Sequence, residues 1–161
     1  MITDRGAAGW ERVYRQSYPS VYRALVATLL DADLAADALQ DAFLDGLRHP
    51  PAHDGNVAGW LFRVAVRKAG RARRRRRWLP LDAGAIVTAE ASQIDALLER
   101  LSVVQLLRLL TPRQRSIVVA YFYLDQTQEQ IAELLGIRRG TVAATISQAL
   151  TRMRKGAGHV Q

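Results

Sequence analysis

The sequence predicts an all-α fold made of two small helical domains joined by a flexible linker, and three observations predict it. Between breakers, nearly every segment repeats apolar residues at spacings of three and four, and none sustains an alternating pattern. Capping signatures open successive segments: Ser92 with Asp95, Thr111–Pro112 with Gln114, and Thr127 with Gln130. The stripes fail only from Leu79 to Ala91, where "LPLDAGAIVTAEA" offers proline, glycine and small residues, so 79–91 reads as a linker between residues 1–78 and 92–161. Fully extended it would reach about 40 Å, more than the roughly 34 Å of one duplex turn.

In the first domain, Trp10, Val13, Tyr14 and Ser17 form a short stripe that Pro19 is expected to interrupt, and Val21, Tyr22, Leu25 and Leu29 form a second. Asp33 is the expected cap of the next helix, which buries Ala35, Ala38, Leu39, Ala42, Phe43 and Leu47 until "HPPAHDGN" at 49–56 stops it. "GWLFRVAVRKAGRARRRRRWLP" then supplies a helix that runs into a block of arginines and ends at Trp78. In the second domain, Ile94, Leu97, Leu98, Leu101 and Leu107 make one stripe, and a helix follows Thr111. From Thr127 a short helix carries Ile131, Leu134 and Leu135, and a last helix runs from about Arg139 to Lys155.

The 161 residues are 49% hydrophobic, too apolar for a disordered chain, and carry a formal charge of +8 that favours a polyanion as partner. That charge is localised. Residues 51–80 hold nine basic groups and one acidic, and 111–161 hold seven and three, whereas 1–50 and 81–110 are each net acidic. The absence of cysteine removes disulfides, thiolate metal sites and cysteine nucleophiles. With only His49, His53 and His159 besides, no nucleophile or metal set is evident, so neither enzymatic activity, a cofactor nor a small-molecule substrate is expected. The start has no basic-then-apolar signal pattern and no apolar run approaches the roughly 20 residues of a membrane span, so membrane insertion is not expected and a soluble intracellular protein is.

Three constellations carry chemistry. Arg63, Arg67, Arg71 and Arg74 share one helix face while Phe62, Val66 and Ala69 occupy another. Such like charges repel by a few tenths of a kcal/mol per pair, which suggests an anionic partner, although a solvated helix end or a nuclear signal uses arginine too. Asp33, Asp37, Asp41 and Asp45 stand at successive fours, giving a row of carboxylates that is either a solvated face or a docking face for a basic protein. Metal ligation would instead want groups converging from several segments. Finally, "TQEQIAELLGIRRGTVAATISQAL" at 127–150 has a short capped helix, a tight turn at Gly136–Ile137 and a helix burying Val142, Ile146, Ala149 and Met153. This is helix-turn-helix grammar, with a plain helical hairpin as the alternative.

At these residues the chain resembles bacterial sigma-70 family factors of the compact extracytoplasmic-function group. "DALQDAF" at 37–43 is similar to the family's acidic "DLVQETF"-type helix in region 2. "GWLFRVAVRKAGRARRRRR" is similar to "AWLYRIARNLAIDLLRRRR", and "LTPRQRSIVVAYFYLDQTQEQIAELLGIRRGTVAATISQALTRMRK" to region 4. The resemblance implies a cytoplasmic bacterial protein comprising a region 2 helical bundle and a region 4 helix-turn-helix. It also implies a role in promoter choice for RNA polymerase, which supplies the chemistry. Its partners would be core RNA polymerase, at the clamp coiled coil and the flap, promoter DNA, and an anti-sigma factor that wedges between the modules or wraps them.

By the same likeness, Asp37, Leu39, Gln40, Asp41, Phe43 and Leu44 dock on the clamp. Asn56, Trp60, Arg63, Arg67, Lys68, Arg71, Arg74 and Arg75 meet the minus-ten element, and the loop 49–59 lies where the family captures an extruded base. The minus-thirty-five set is Arg113, Arg115, Thr127, Arg138, Arg139, Gly140, Thr141, Ala143, Ala144, Ser147, Gln148 and Arg152.

The sequence departs from the family at three places. Arg67 stands where many relatives have asparagine, and Arg138 where serine often caps the last helix. "TVAATISQAL" replaces "TVKSRLSRAR", so alanine can meet a thymine methyl but bidentate readout is lost. Minus-thirty-five recognition is therefore expected to be weak and helped by phosphate contacts from Arg113, Arg115, Arg138, Arg139, Arg152 and Arg154. A stand-alone helix-turn-helix regulator and a protein-only adaptor remain the rival readings.

Overall fold

The computed structural model describes residues 7–51, 54–76 and 102–158. The linker, Trp78, the Ser92–Asp95 box and the apolar positions from Ile94 to Leu101 lie outside the described residues. Helices α1 (Ala7–Leu29), α2 (Ala32–Arg48) and α3 (Val57–Arg76), the last preceded by a 3₁₀ turn at Asp54–Asn56, form the first unit. A helix described over 102–108 (α4), then α5 (Pro112–Phe122), α6 (Gln128–Leu135) and α7 (Arg139–Ala157), form the second. Among the described residues there is no strand, and no helix is long and apolar enough to cross a membrane.

Pro19 does not break the first helix. Residues 7–29 form one rod with the proline inside it, exposed to water. Proline forfeits one backbone hydrogen bond there. Tertiary packing overrides that cost, because Trp10 on one side and Val21, Ala24, Leu25 and Leu29 on the other enter the same core. Tyr14, Tyr18 and Tyr22 also stack across the proline, with ring centroids 4.9 and 5.7 Å apart.

Leu30 then takes the left-handed conformation, at φ 56°, to turn the chain. The cap of α2 is Asp31 rather than Asp33: its carboxylate accepts from the Leu34 N–H at 2.9 Å, and Asp33 falls in the first turn, where it faces the positive end of the helix dipole. Along α2 the residues Leu34, Ala35, Ala38, Leu39, Ala42 and Phe43 are buried, but Leu47 is 53% exposed, and Gly46 takes the last core position. Both later capping boxes form as the sequence predicts, at Thr111 with Gln114 and at Thr127 with Gln130.

The two units pack directly on one another, and side-chain hydrogen bonds join them at two places. Arg115, on α5, is 8% exposed and donates from Nε to Leu107 O at 3.0 Å, from Nη2 to Leu110 O at 3.1 Å and from Nη1 to Thr28 O at 2.9 Å. The first two acceptors close its own unit; the third is in the last turn of α1. Arg73 of α3 donates to the next carbonyl, Leu29 O. The carbonyls at the end of a helix lack intrahelical partners and carry its partial negative charge, so two guanidinium groups there are well placed. A second clasp lies at the opposite end of α3, where Asn56 Nδ2 donates to Gln126 Oε1 while Asn56 Oδ1 accepts from Gly59 N–H.

Two stability predictions follow from this packing. A Cβ at Gly46 would run into the buried Trp10 ring, whereas one at Gly156 meets only the rotatable end of Leu109. In urea unfolding, Gly46→Ala should lose about 1–2 kcal/mol and Gly156→Ala should change stability by less than about 0.5 kcal/mol. Arg115→Ala should cost about 2–4 kcal/mol by orphaning buried carbonyls, with faster amide exchange in the last turn of α1.

Candidate nucleic-acid interface

The acidic helix presents a narrower face than the spacing of its residues suggests. Asp37, Gln40, Asp41 and Leu44 are exposed, with Leu44 open to 43%. Leu39 and Phe43 are in the core, Phe43 edge-on to Trp10 at 6.4 Å, so neither is available to a partner. The same period that exposes i and i+4 turns i+2 and i+6 inward. Asp45 leaves the carboxylate row to pair with Lys68 at 2.8 Å, and that hydrogen bond, against partial burial, holds the Asp45 carboxyl below its ordinary range.

On α3 the basic residues divide into three environments. Arg67, Arg71, Arg74 and Arg75 are exposed. Lys68 is tied to Asp45, and Arg63 is partly buried with no partner for its Nε. Desolvation, and then the charge of Arg67, lowers the Arg63 guanidinium from its ordinary value. Phe62 and Ala69 fill the opposite face as predicted, with Val66 and Trp60 half-buried. Arg73, Arg74, Arg75 and Arg76 occupy the last turn, where cations suit the helix dipole. A groove of about 400 Å³ runs between α2 and α3, lined by Asp37 and Asp41 on one bank and Arg71, Arg75 and Arg76 on the other. The acidic and basic rows thus face one another across the groove. The remainder of the row faces solvent.

In the second unit, Gly136 sits at φ 64°, ψ 38° and closes α6 through its N–H to Glu133 O, while Ile137 N–H bonds Ala132 O at 3.0 Å. A side chain at this φ is strained, which is why the turn calls for glycine. Ile137 packs on the core beside Val142, Ile146 and Ala149, which are buried, and Met153, which is partly so. The arrangement is a helix-turn-helix rather than a plain hairpin: α6 is eight residues long and α7 nineteen.

The second helix turns Arg138, Arg139, Gly140, Thr141, Ala144, Ser147, Gln148 and Arg152 to solvent, and Ala143 partly so. Arg138 stands at the N-cap with no side-chain hydrogen bond. Arg139 pairs with Glu129 at 2.7 Å, and Arg152 lies 3.3 Å from Gln114 Oε1. Thr127 spends its hydroxyl on the cap of α6, and Arg113 is exposed.

Two expected DNA-facing residues lie at the junction instead. Arg115 is buried among carbonyls and does not face solvent; burial, and then the nearby charges of Arg73 and Arg108, lower its guanidinium from its ordinary value. Asn56 is clasped to Gln126. The sequence reading missed Gln126, which is 7% exposed and donates to Leu124 O, because a lone glutamine in the turn "LDQT" gives no periodic signal. For Arg115 a signal existed: it precedes Val118 and Val119 by three and four, and so shares their buried face.

Comparisons with known proteins agree with this architecture. The family model for sigma-70 region 2 matches residues 13–79, and that for sigma-70 region 4 matches residues 100–153. The chain is 27% identical to the ECF RNA polymerase sigma factor SigM of Mycobacterium tuberculosis over 156 residues, covering 94% of this chain and 78% of that one. With SigL of the same organism it shares 27% identity over 157 residues, covering 92% and 88%. A shorter stretch of 57 residues, 35% of this chain and 32% of the relative, is 37% identical to the RNA polymerase sigma-E factor of Streptomyces coelicolor. Among solved structures, RpoE of Bartonella quintana, crystallised with the anti-sigma factor NepR, superposes with a TM-score of 0.74 at 18% identity, over 95% of this chain and 99% of that one. CnrH, in complex with the cytosolic domain of CnrY, gives 0.73 at 18% identity, over 98% and 92%. With both regions matched in order and with full-length relatives of one kind, the chain belongs to the sigma-70 family of RNA polymerase sigma factors, in its extracytoplasmic-function group.

Proposed function

We propose that this sigma factor engages core polymerase through the exposed face of α2 and the promoter through α3 and α7, and that the closed arrangement of its two units is a resting form. The observation that carries the reading is the segregation of charge on adjacent helices: Asp37 and Asp41 stand on one bank and solvent-facing Arg71 and Arg75 on the other. Carboxylates suit a basic protein surface such as a clamp coiled coil, and arginines suit phosphates. The chain itself carries out no catalysis; polymerase does the chemistry, in the bacterial cytoplasm.

In this reading Asp37, Gln40, Asp41 and Leu44 dock on polymerase, with the region 4 unit at the flap. Arg67, Arg71, Arg74 and Arg75 run along the opening minus-ten element, beside Trp60. The N-terminal half of α7 enters the major groove at minus thirty-five, where Ala143 and Ala144 offer apolar contact and Thr141, Ser147 and Gln148 the remaining polar edges. Arg138, uncapped, gains a phosphate as the partner it lacks, and Arg139 exchanges Glu129 for another. Asn56 reaches an extruded base only after leaving Gln126, so opening precedes base capture. An anti-sigma factor that favours the closed pairing, as partner proteins accompany RpoE and CnrH in their crystal structures, would hold the factor silent.

Asp41→Arg, at an exposed position, should abolish recovery of the chain on immobilised core polymerase, a loss of at least about tenfold in affinity, with an unchanged helical spectrum. Arg138→Ala should weaken promoter binding and lower the steepness of its log–log salt dependence by ~0.9. Tighter binding by that variant would contradict the phosphate role. A stand-alone regulator would bind the same DNA without polymerase, and an adaptor would show no salt slope.

A further inference from the structure

Where α1, α3 and α5 meet, the junction leaves a cleft of about 460 Å³, and of the arginines assigned above to the promoter only Arg74 lines it. Thr28, Arg73, Arg74 and Ser116 supply its polar wall, Leu29 and Val66 its apolar one, and no carboxylate among the described residues lines it. Thr28 is the informative group. It is only 3% exposed, and its hydroxyl has no hydrogen-bond partner among the described residues. A buried hydroxyl left unpaired destabilises a fold, so its retention asks for an acceptor that is not part of the chain.

The charges around the cleft ask for the same kind of acceptor. Arg73 uses one of its five N–H donors on Leu29 O, and Arg74 is exposed. Behind them Arg115 feels the positive charges of Arg73 and Arg108. Cations from both units are therefore brought together, with no carboxylate among the described residues of the cleft wall.

We propose that this cleft binds a phosphate-bearing small molecule, with the anion taken by Thr28, Arg73 and Arg74, and that its binding holds the two units closed. The size is that of a small-molecule pocket, which commonly runs about 300–1,000 Å³. It is too small for a duplex, whose major groove alone is ~12 Å wide. Because α1 and α3 form one wall and Pro112 and Ser116 of α5 the other, the cleft exists only while the units are together, and a ligand that binds only that form must favour it. The ligand adds a regulator to the promoter-binding reading without requiring polymerase.

The test is calorimetric titration of the full chain with inorganic pyrophosphate at ~0.15 M salt, beside Thr28→Val and Arg73→Gln, with thermal unfolding of each protein. One saturable site is expected on the parent chain, at least about tenfold weaker in both variants. Thr28→Val should melt at or above the parent temperature without ligand, because the orphan hydroxyl is gone, yet gain less from pyrophosphate. ATP binding as well as pyrophosphate would support a polyphosphate ligand, and tighter ATP binding would support a nucleotide, with its base on Leu29 and Val66. Equal affinity of parent and Thr28→Val for pyrophosphate would overturn the proposal, since the exposed arginines of α3 would then be the binding site. Absence of saturable binding at millimolar pyrophosphate would overturn it as well. Neither result touches polymerase binding, which is measured separately.

Discussion

The closed structure depends on how the C-terminal end of α1 is satisfied. Its last carbonyls have no partners within the helix, and two arginines meet them: Arg73 from α3, on Leu29 O, and Arg115 from α5, on Thr28 O. The first bond closes the region 2 bundle on itself. The second belongs to the other unit, so one helix end serves both as an internal joint and as the attachment point between units. Both donors are cations at the negative pole of a helix dipole, which makes the joint directional without requiring a large apolar interface. Charged hydrogen bonds of this kind are strong when dry and exchange readily for water when opened, which suits the proposed parting of the units.

That geometry gives the chain two sets of basic groups with different roles. Arg67, Arg71, Arg74, Arg75, Arg138 and Arg139 face solvent, where phosphates can reach them, whereas Arg115 is spent on backbone carbonyls and Lys68 on Asp45. Formal charge alone does not separate them. The acidic row of α2 borders the arginines of α3 across one groove, so the proposed polymerase-facing and promoter-facing surfaces are neighbours.

Much of the fold was legible because its signals are local. Capping boxes at Thr111 and Thr127, the Gly136 turn and the stripe through Val142, Ile146 and Ala149 all formed where the sequence placed them. The reading failed where a distant contact outweighed a local preference. Pro19 should break a helix, but α1 continues through it, with core residues on both sides. The choice of Asp31 over Asp33 as cap turned on a single hydrogen bond to Leu34. Leu39 and Phe43 match the motif of a docking helix by resemblance, yet the helical period buries both. Arg115 and Asn56 were assigned to DNA by charge and by resemblance, and only the packing of one unit on the other, invisible in any short window, places them at the junction.

The central claim is that this junction opens when the factor works. With no native cysteine, single cysteines at the exposed positions Gln16 on α1 and Glu133 on α6 report the separation by energy transfer without further engineering. The account predicts high transfer in the free chain and a collapse of transfer when core polymerase and promoter DNA are added together, as the units move apart to sites about one duplex turn or more from each other. Unchanged transfer in a complex that initiates transcription would contradict it.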